Sequence, residues 1–186
     1  MTPTFLIIGL IVLVAVVGVS SYNSLISLKA KVAEAASDID VQLKRRYDLI
    51  PNLVETIKGA AKFESETLEK VIQARNQAIS VQGLGEDKSQ AEAALTSSLK
   101  QVFALAESYP DLKTNQNYLQ LQEELTNTED RILSSRRFYN QVVSDYNAQQ
   151  DQFPTMLFKS LAKATPAKFF ELENPTEERK NVQIKF

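Results

Sequence analysis

Residues 5–19 read FLIIGLIVLVAVVGV, an unbroken apolar run near the start of the chain. No side chain before Lys29 is ionisable. A helix needs about 17–25 mostly apolar residues to cross the hydrocarbon core of a bilayer. The run, extended by the tolerated ends Thr4 and Ser21, is short but sufficient. We therefore predict a transmembrane anchor over residues 1–21, in contact with the membrane lipid bilayer.

Two alternatives fit this run less well. A cleaved signal peptide has a basic segment before the apolar run and a small-residue cleavage site. Here only the α-amino group is positive before Lys29, and Val17-Gly18-Val19 is a weak site. A buried core helix that is apolar on every face needs covering on every face, which the amphipathic remainder of the chain is poorly suited to supply.

The basic residues indicate an orientation for the anchor. Lys29, Lys31 and the Lys44–Arg46 cluster all follow the run, and no basic side chain precedes it. The positive-inside rule then places the N-terminus outside and the body in the cytoplasm. We expect a single-pass protein of the plasma membrane.

The composition excludes several kinds of site. The chain has no Cys, His or Trp, which removes disulfides, thiolate or imidazole metal sites, and every nucleophile–base pair built on Cys or His. Its five glycines leave little for a phosphate-binding loop. The net charge of −2 shows no excess of either sign, so charge suggests no polyanion partner. We expect no cofactor, no metal ion and no nucleic acid.

The residues after the apolar run have the spacing of an amphipathic helix. Apolar or small residues recur in steps of three and four: Leu25, Leu28, Val32, Ala36, Ile39 and Leu43. Residues 44–51 then read KRRYDLIP. We interpret this segment as a helix–helix turn, because cations suit a helix C-terminus, Asp48 can act as an N-cap and Pro51 is tolerated in a first turn. The alternative is one long helix kinked at Pro51.

Further helices follow on the same grounds. One is expected from Leu53 to Ile79, and Gly83-Leu84-Gly85 is the clearest loop in the chain. The next helix should begin near Glu86 and stop at Pro110. A polar link over residues 111–117 precedes the last long helix.

The last helix has a strict heptad spacing. Its stripe positions are Tyr118, Leu121, Leu125, Thr128, Ile132, Ser135, Tyr139, Val142 and Tyr146. It should end before Phe153-Pro154. A short amphipathic turn is expected around Met156–Leu161, and Phe169-Phe170 with Val182, Ile184 and Phe186 suggest an extended tail that packs on the body.

The predicted class is therefore all-α. An N-terminal transmembrane helix (residues 1–21) is followed by an antiparallel up-and-down four-helix bundle (residues 22–153), since amphipathic helices joined by short links bury their stripes against one another. Residues 154–186 form the C-terminal tail that packs on the bundle.

Two charged clusters are candidate sites. Glu123, Glu124, Glu129 and Asp130 are the densest acidic group on a predicted helix, and we interpret them as a solvated face. A carboxylate di-iron site of the usual kind also needs His. The sharper feature lies around residue 46, where a patch could dock an acidic partner; its residues are Lys44, Arg45, Arg46, Asp48 and Asn52. A lipid headgroup fits this patch less well, because about 23 residues of helix separate Lys44 from Ser21. The simpler interpretation of the three cations is a helix cap and a solvated turn.

The chain resembles the LemA family of bacterial membrane proteins. The resemblance is carried by Tyr22-Asn23-Ser24-Leu25, by QLKRRYDLIPNLVETIKGAAKFESETLEKVIQAR (Gln42–Arg75) and by NQNYLQLQEELTNTEDRI (Asn115–Ile132), and also by FYNQVVSDYN (Phe138–Asn147), Phe153-Pro154 and Phe169-Phe170-Glu171. It implies a four-helix bundle on one membrane helix in the bacterial inner membrane. It implies no reaction. Relatives occur in cell-envelope and magnetosome contexts, with genes often near membrane metalloproteases.

We expect a membrane-anchored helical adaptor or scaffold of the cell envelope, not an enzyme, that presents a bundle face to another protein. The alternative is a carboxylate-dependent envelope enzyme, or an accessory subunit of a membrane enzyme such as a protease. The heptad of residues 118–146 leaves self-association open.

Overall fold

The computed structural model describes residues 3–60 and 64–170. Within these ranges every regular element is helical and no strand is present, which confirms the all-α class. The elements are α1 (Pro3–Ala60), α2 (Ser65–Ser80), α3 (Glu86–Ala106), α4 (Pro110–Lys113), α5 (Gln116–Asp151) and a 3-10 turn (Thr155–Phe158). The four-helix, antiparallel arrangement stays a prediction, as do the domain boundaries at residues 21 and 153.

The described residues divide into two compact units. Unit 1 contains residues 3–38 and 135–169, and unit 2 contains residues 39–60, 64–134 and 170. Helices α1 and α5 contribute residues to both units.

Helix α1 passes through Pro51 without ending, so the predicted helix–helix turn at residues 44–51 is wrong. A proline inside a helix leaves the carbonyl four residues earlier without its backbone donor. That carbonyl belongs to Tyr47, and Arg75 Nε donates to it at 2.7 Å. Asp48 caps no helix and instead pairs with Lys44 at 2.7 Å. A side chain from α2 therefore replaces the missing bond.

The helix predicted from Leu53 to Ile79 is two helices. Glu64 has extended backbone (φ −64°, ψ 114°) immediately before α2. The loop at residues 83–85 is confirmed, and Gly83 has a φ of +76°, which suits glycine. The predicted polar link after Pro110 contains the short helix α4, with Pro110 in its first turn.

Unit 1 has a small core between the beginning of the amphipathic part of α1 and the segment after α5. Buried Leu25, Tyr146, Ala162 and Ala164 form its centre. Asn147 fixes the returning chain through two bonds to Ala167, one donated by Nδ2 at 3.0 Å and one accepted by Oδ1 at 2.9 Å. Lys29 Nζ donates to the carbonyl of Lys163 at 3.0 Å.

The stripe positions of α5 are mostly buried, as the heptad spacing predicts. The buried members are Tyr118, Leu125, Thr128, Ile132, Tyr139, Val142 and Tyr146. The short turn predicted around Met156–Leu161 is present as the 3-10 turn. Phe170 is buried, whereas the tail residues Val182, Ile184 and Phe186 lie outside the described residues.

Candidate functional site

Unit 2 contains a group of charged side chains in its interior, centred on Arg46 of α1. The Arg46 side chain is only 1% exposed. Its guanidinium donates to Glu92 of α3 and to Glu129 of α5, and also to Thr96 Oγ1 at 3.0 Å. Side chains from three helices therefore meet at one residue.

Glu92 is the second centre of the group and is itself 5% exposed. One carboxylate oxygen accepts from Arg46, and the other accepts from the Tyr47 hydroxyl. Lys88 Nζ lies 3.5 Å from the same oxygen as Tyr47. We call Arg46, Tyr47, Lys88, Glu92, Thr96 and Glu129 the Arg46 network.

Lys88 is held on all sides by oxygen acceptors and an aromatic ring. Its ammonium donates to the Tyr47 hydroxyl at 3.0 Å, and to the carbonyls of Ala78 and Val81 at 2.8 and 3.2 Å. It also lies 5.5 Å from the centre of the Tyr47 ring, within the range of a cation–π contact. The end of α2 is thereby connected to α3.

The surroundings of Tyr47 raise the pKa of its hydroxyl. Burial is the main cause, because the interior disfavours the phenolate, and the hydrogen bond to Glu92 adds to it. Tyr47 therefore stays protonated and acts as a hydrogen-bond donor, and it cannot serve as a base near neutral pH.

The Arg46 network contains two formal positive and two formal negative charges, on Arg46, Lys88, Glu92 and Glu129. Buried ions are tolerated when they are paired and hydrogen-bonded. Such a network fixes which helix faces meet, since a displaced helix leaves an unpaired charge behind. Its chemistry as it stands is structural: both carboxylates are already bonded to Arg46.

A cavity of about 200 Å³ adjoins the open side of this network. Arg46, Thr96 and Glu129 line it together with Lys100 and Asp130, and Leu99, Phe103 and Leu125 supply its apolar wall. Glu129 is 44% exposed and is the charged member of the network that reaches solvent. Among residues 3–60 and 64–170, no three acidic side chains are grouped so that they could hold a metal ion.

The predicted docking residues do not share one surface. Lys44, Arg45, Asp48 and Asn52 are exposed, whereas Arg46 is buried. Arg45 lies 3.6 Å from Glu124 of α5. Two residues along a helix is a rotation of about 200°, which explains why Arg46 points away from Lys44. The exposed four stay a prediction for docking.

The interpretation of the acidic cluster as a solvated face is incomplete for Glu129, which is partly exposed but also accepts a hydrogen bond from the buried Arg46. The spacing of the sequence could have identified the network. In α1 the buried positions Ile39, Leu43, Arg46, Ile50, Leu53 and Ile57 alternate in steps of four and three. In α3 the same alternation includes Lys88 and Glu92. Charged residues at core heptad positions are the signal.

The apolar start of α1 contrasts with this interior. By length and composition α1 contains a stretch able to cross a membrane, with a mean hydropathy of 2.6 and none of it buried within the protein. The exposed side chains include Phe5, Leu10, Leu13 and Val16.

Comparison with known proteins gives a consistent result. The model of the LemA family matches residues 35–186. Protein LemA of Metamycoplasma hominis is 28% identical over 127 residues, which are 68% of this chain and 58% of that protein. Magnetosome proteins MamQ 1 and MamQ 2 of Paramagnetospirillum magneticum are each 23% identical over 175 residues, 81% of this chain and 64% of theirs.

The chain therefore spans about three fifths of the length of these relatives. The family model covers far more than half of the chain, including all of the Arg46 network. The resemblance drawn from the sequence is confirmed: the chain belongs to the LemA family.

Proposed function

We propose that the protein is a membrane-anchored helical adaptor of the bacterial cell envelope. The observation that carries this proposal is the division of α1 into two parts. Residues 3–17 are exposed on every side although they are almost entirely apolar, whereas the stripe from Leu25 to Ile57 is buried or half-buried. An apolar helix with no covering in the protein is suited to lipid.

The adaptor role is supported by the nature of the interior. The charged groups of the Arg46 network pair with one another, so the network serves the positioning of α1, α3 and α5 more readily than a reaction. A helical body attached to a membrane helix can present a surface to another protein. The exposed side chains Lys44, Arg45, Asp48 and Asn52 are the proposed docking surface.

The membrane part of the proposal is tested by fractionation of cells that express the full chain. We expect it in the membrane fraction after an alkaline carbonate wash. Replacing Leu10 and Leu13 with Arg should release it, because each central charge costs about 2.5–3.5 kcal/mol of insertion free energy. The matched control is Ile26→Arg, an exposed apolar position beyond the run. Retention of the Leu10/Leu13 variant would contradict anchoring.

The proposed topology has the N-terminus outside and the body in the cytoplasm of a single-pass inner-membrane protein. A reporter fused after Phe186 tests it. A fluorescent protein that matures only in the cytoplasm should be bright, and a phosphatase active only outside should be silent. The opposite pair of results would invert the topology without affecting anchoring.

The docking surface is tested by photo-cross-linking in cells. A cross-linking residue at Asp48 should capture the same foreign protein reproducibly, whereas one at the exposed Ser97 of α3 should not. Products that contain only copies of this chain would instead support self-association and overturn the adaptor role.

One observation favours a second candidate, a carboxylate-dependent enzyme or an accessory subunit of a membrane enzyme. Glu92 and Glu129 come from different helices and share one guanidinium beside a cavity. The Glu129→Gln variant distinguishes the two roles. If the protein is an enzyme of this kind, the variant folds but does not function in cells. If the protein is an adaptor, the variant keeps its function and still cross-links to the same partner.

A further inference from the structure

The segment that follows α5 exposes an unusual number of large apolar side chains. Phe153 is 77% exposed, Leu157 66% and Leu161 69%, and Met156 is also exposed. All four lie around the 3-10 turn and form the exposed apolar face of this segment. Thr155 and Ala162 of the same segment are buried.

The segment touches the apolar part of α1 through Phe158. The ring of Phe158 packs so closely on Gly18 that a Cβ added there would come within 3.1 Å of it. Gly18 is part of the apolar run and lies three residues before Ser21, about 4.5 Å along the helix. If residues 5–19 are in the bilayer, the Phe158 ring is at the edge of the same hydrocarbon layer.

The charges of the segment suit a membrane surface. Residues 152–169 contain Lys159, Lys163 and Lys168 and no acidic residue. Lys159 pairs with Asp151 at 3.0 Å, while Lys163 is exposed. Cations beside an apolar face are typical of segments that lie in the interface of a membrane with anionic lipids.

We infer that residues 153–161 form a second membrane contact, in which Phe153, Met156, Leu157 and Leu161 insert between lipids where α1 leaves the bilayer. The inference rests on the proposed anchoring of α1. Its occupant is lipid, because the face continues the apolar surface of α1 through the contact between Phe158 and Gly18. The protein then touches the membrane at two separate points of its sequence.

The chain has no Trp, so single Trp substitutions report local surroundings without background. The full chain is reconstituted in vesicles of phosphatidylcholine and phosphatidylglycerol with brominated acyl chains, which quench Trp on contact. Leu157→Trp is the probe, and Met156→Trp is a second one in case the first disturbs the turn. Val12→Trp reports the anchor. Phe138→Trp is the control, since it is an exposed aromatic position of α5 in the same unit.

For Trp at residues 157, 156 and 12, we expect blue-shifted fluorescence, most of which the brominated lipids quench. For Trp at residue 138, we expect neither a blue shift nor quenching. Bromines near the headgroup should quench residue 157 more than bromines near the chain end, with the reverse order at residue 12. Quenching at residue 12 but at neither residue 156 nor 157 would overturn the second contact and leave anchoring intact. Absence of quenching at residue 12 would overturn both.

Two further outcomes also contradict the inference. Blue-shifted emission at residue 157 without quenching by lipid would mean that protein covers the face, as a second copy or as residues 171–186 of this chain. A dependence of the shift on protein density in the vesicles would identify the second copy.

Discussion

Arg46 of α1 and Glu92 of α3 form an ion pair that is almost completely withdrawn from solvent, with side chains 1% and 5% exposed. The same guanidinium also binds Glu129 of α5. Replacing the whole group and removing one member of it have very different effects on the free energy of unfolding. Replacement of all its members by apolar residues can be neutral, whereas removal of one partner leaves a buried charge without compensation.

Arg46→Met should destabilise the protein by about 3–5 kcal/mol, because Glu92 loses its principal partner while it stays buried. The measurement is the unfolding of the full chain in detergent micelles, followed by circular dichroism in denaturant. Lys44→Met is the matched control: its pair with Asp48 is exposed, and such pairs contribute about 0–1 kcal/mol. Equal stability of the two variants would show that the Arg46 network has no energetic role.

Tyr47→Phe removes the hydroxyl that donates to Glu92 and accepts from Lys88. A hydrogen bond to a charged group contributes about 1.5–3 kcal/mol, so a loss of this size is expected in the same unfolding assay. Tyr139→Phe offers a comparison, since its hydroxyl donates to the neutral carbonyl of Lys168 at 2.8 Å. We expect about 0.5–1.5 kcal/mol there. A larger loss for Tyr139→Phe would contradict the assignment.

The raised pKa of Tyr47 predicts an alkaline loss of stability. Its ordinary value is 10.0. Above that pH the unfolded chain releases this proton while the folded protein retains it, so the unfolded state binds fewer protons and stability falls as pH rises. The contribution of one such group is about 1.4 kcal/mol per pH unit.

The Tyr47→Phe variant lacks this contribution. The difference in unfolding free energy between the wild-type chain and this variant should therefore be constant up to about pH 10 and then narrow. Unfolding at a series of pH values measures it, and the absorbance of tyrosinate follows the titration directly. A difference that does not change with pH would show that Tyr47 ionises normally.

Gly18→Leu should displace the Phe158 ring and loosen the 3-10 turn, because overpacking of this kind costs about 1–3 kcal/mol. Amide hydrogen exchange of residues 155–164 in micelles should become faster. Gly9→Leu is the control in the same apolar run, since nothing lies within 4 Å of a Cβ added there. Unchanged exchange in the Gly18 variant would argue against close packing at this point.

Much of the fold follows from spacing. The steps of three and four predicted the buried faces of α1 and α5, and the glycines at residues 83 and 85 predicted the loop before α3. The prediction of a turn at Pro51 was wrong because helix propensity takes only neighbouring residues into account. The carbonyl that proline leaves free is satisfied by Arg75, which is 28 residues away in sequence.

The site was harder to predict for a related reason. Lys44, Arg45 and Arg46 look alike in the sequence, and their environments differ only through the rotation of the helix. Arg46 lies at a heptad position and is buried, while Lys44 and Arg45 are exposed to solvent. Its partners Glu92 and Glu129 are 46 and 83 residues further along the chain, so heptad spacing can mark a charged residue as buried but does not show which residues pair.

Pro51 creates a specific contact point between α1 and α2. Carbonyls in the interior of an uninterrupted helix accept hydrogen bonds from their own helix, so they are not available to a neighbouring helix. Pro51 leaves the Tyr47 carbonyl without its intrahelical donor, and the Arg75 guanidinium of α2 donates to it instead. Replacing Pro51 with Ala normally strengthens a helix. Here the new backbone N–H would bond to the Tyr47 carbonyl, compete with Arg75 and weaken the specific pairing of α1 and α2.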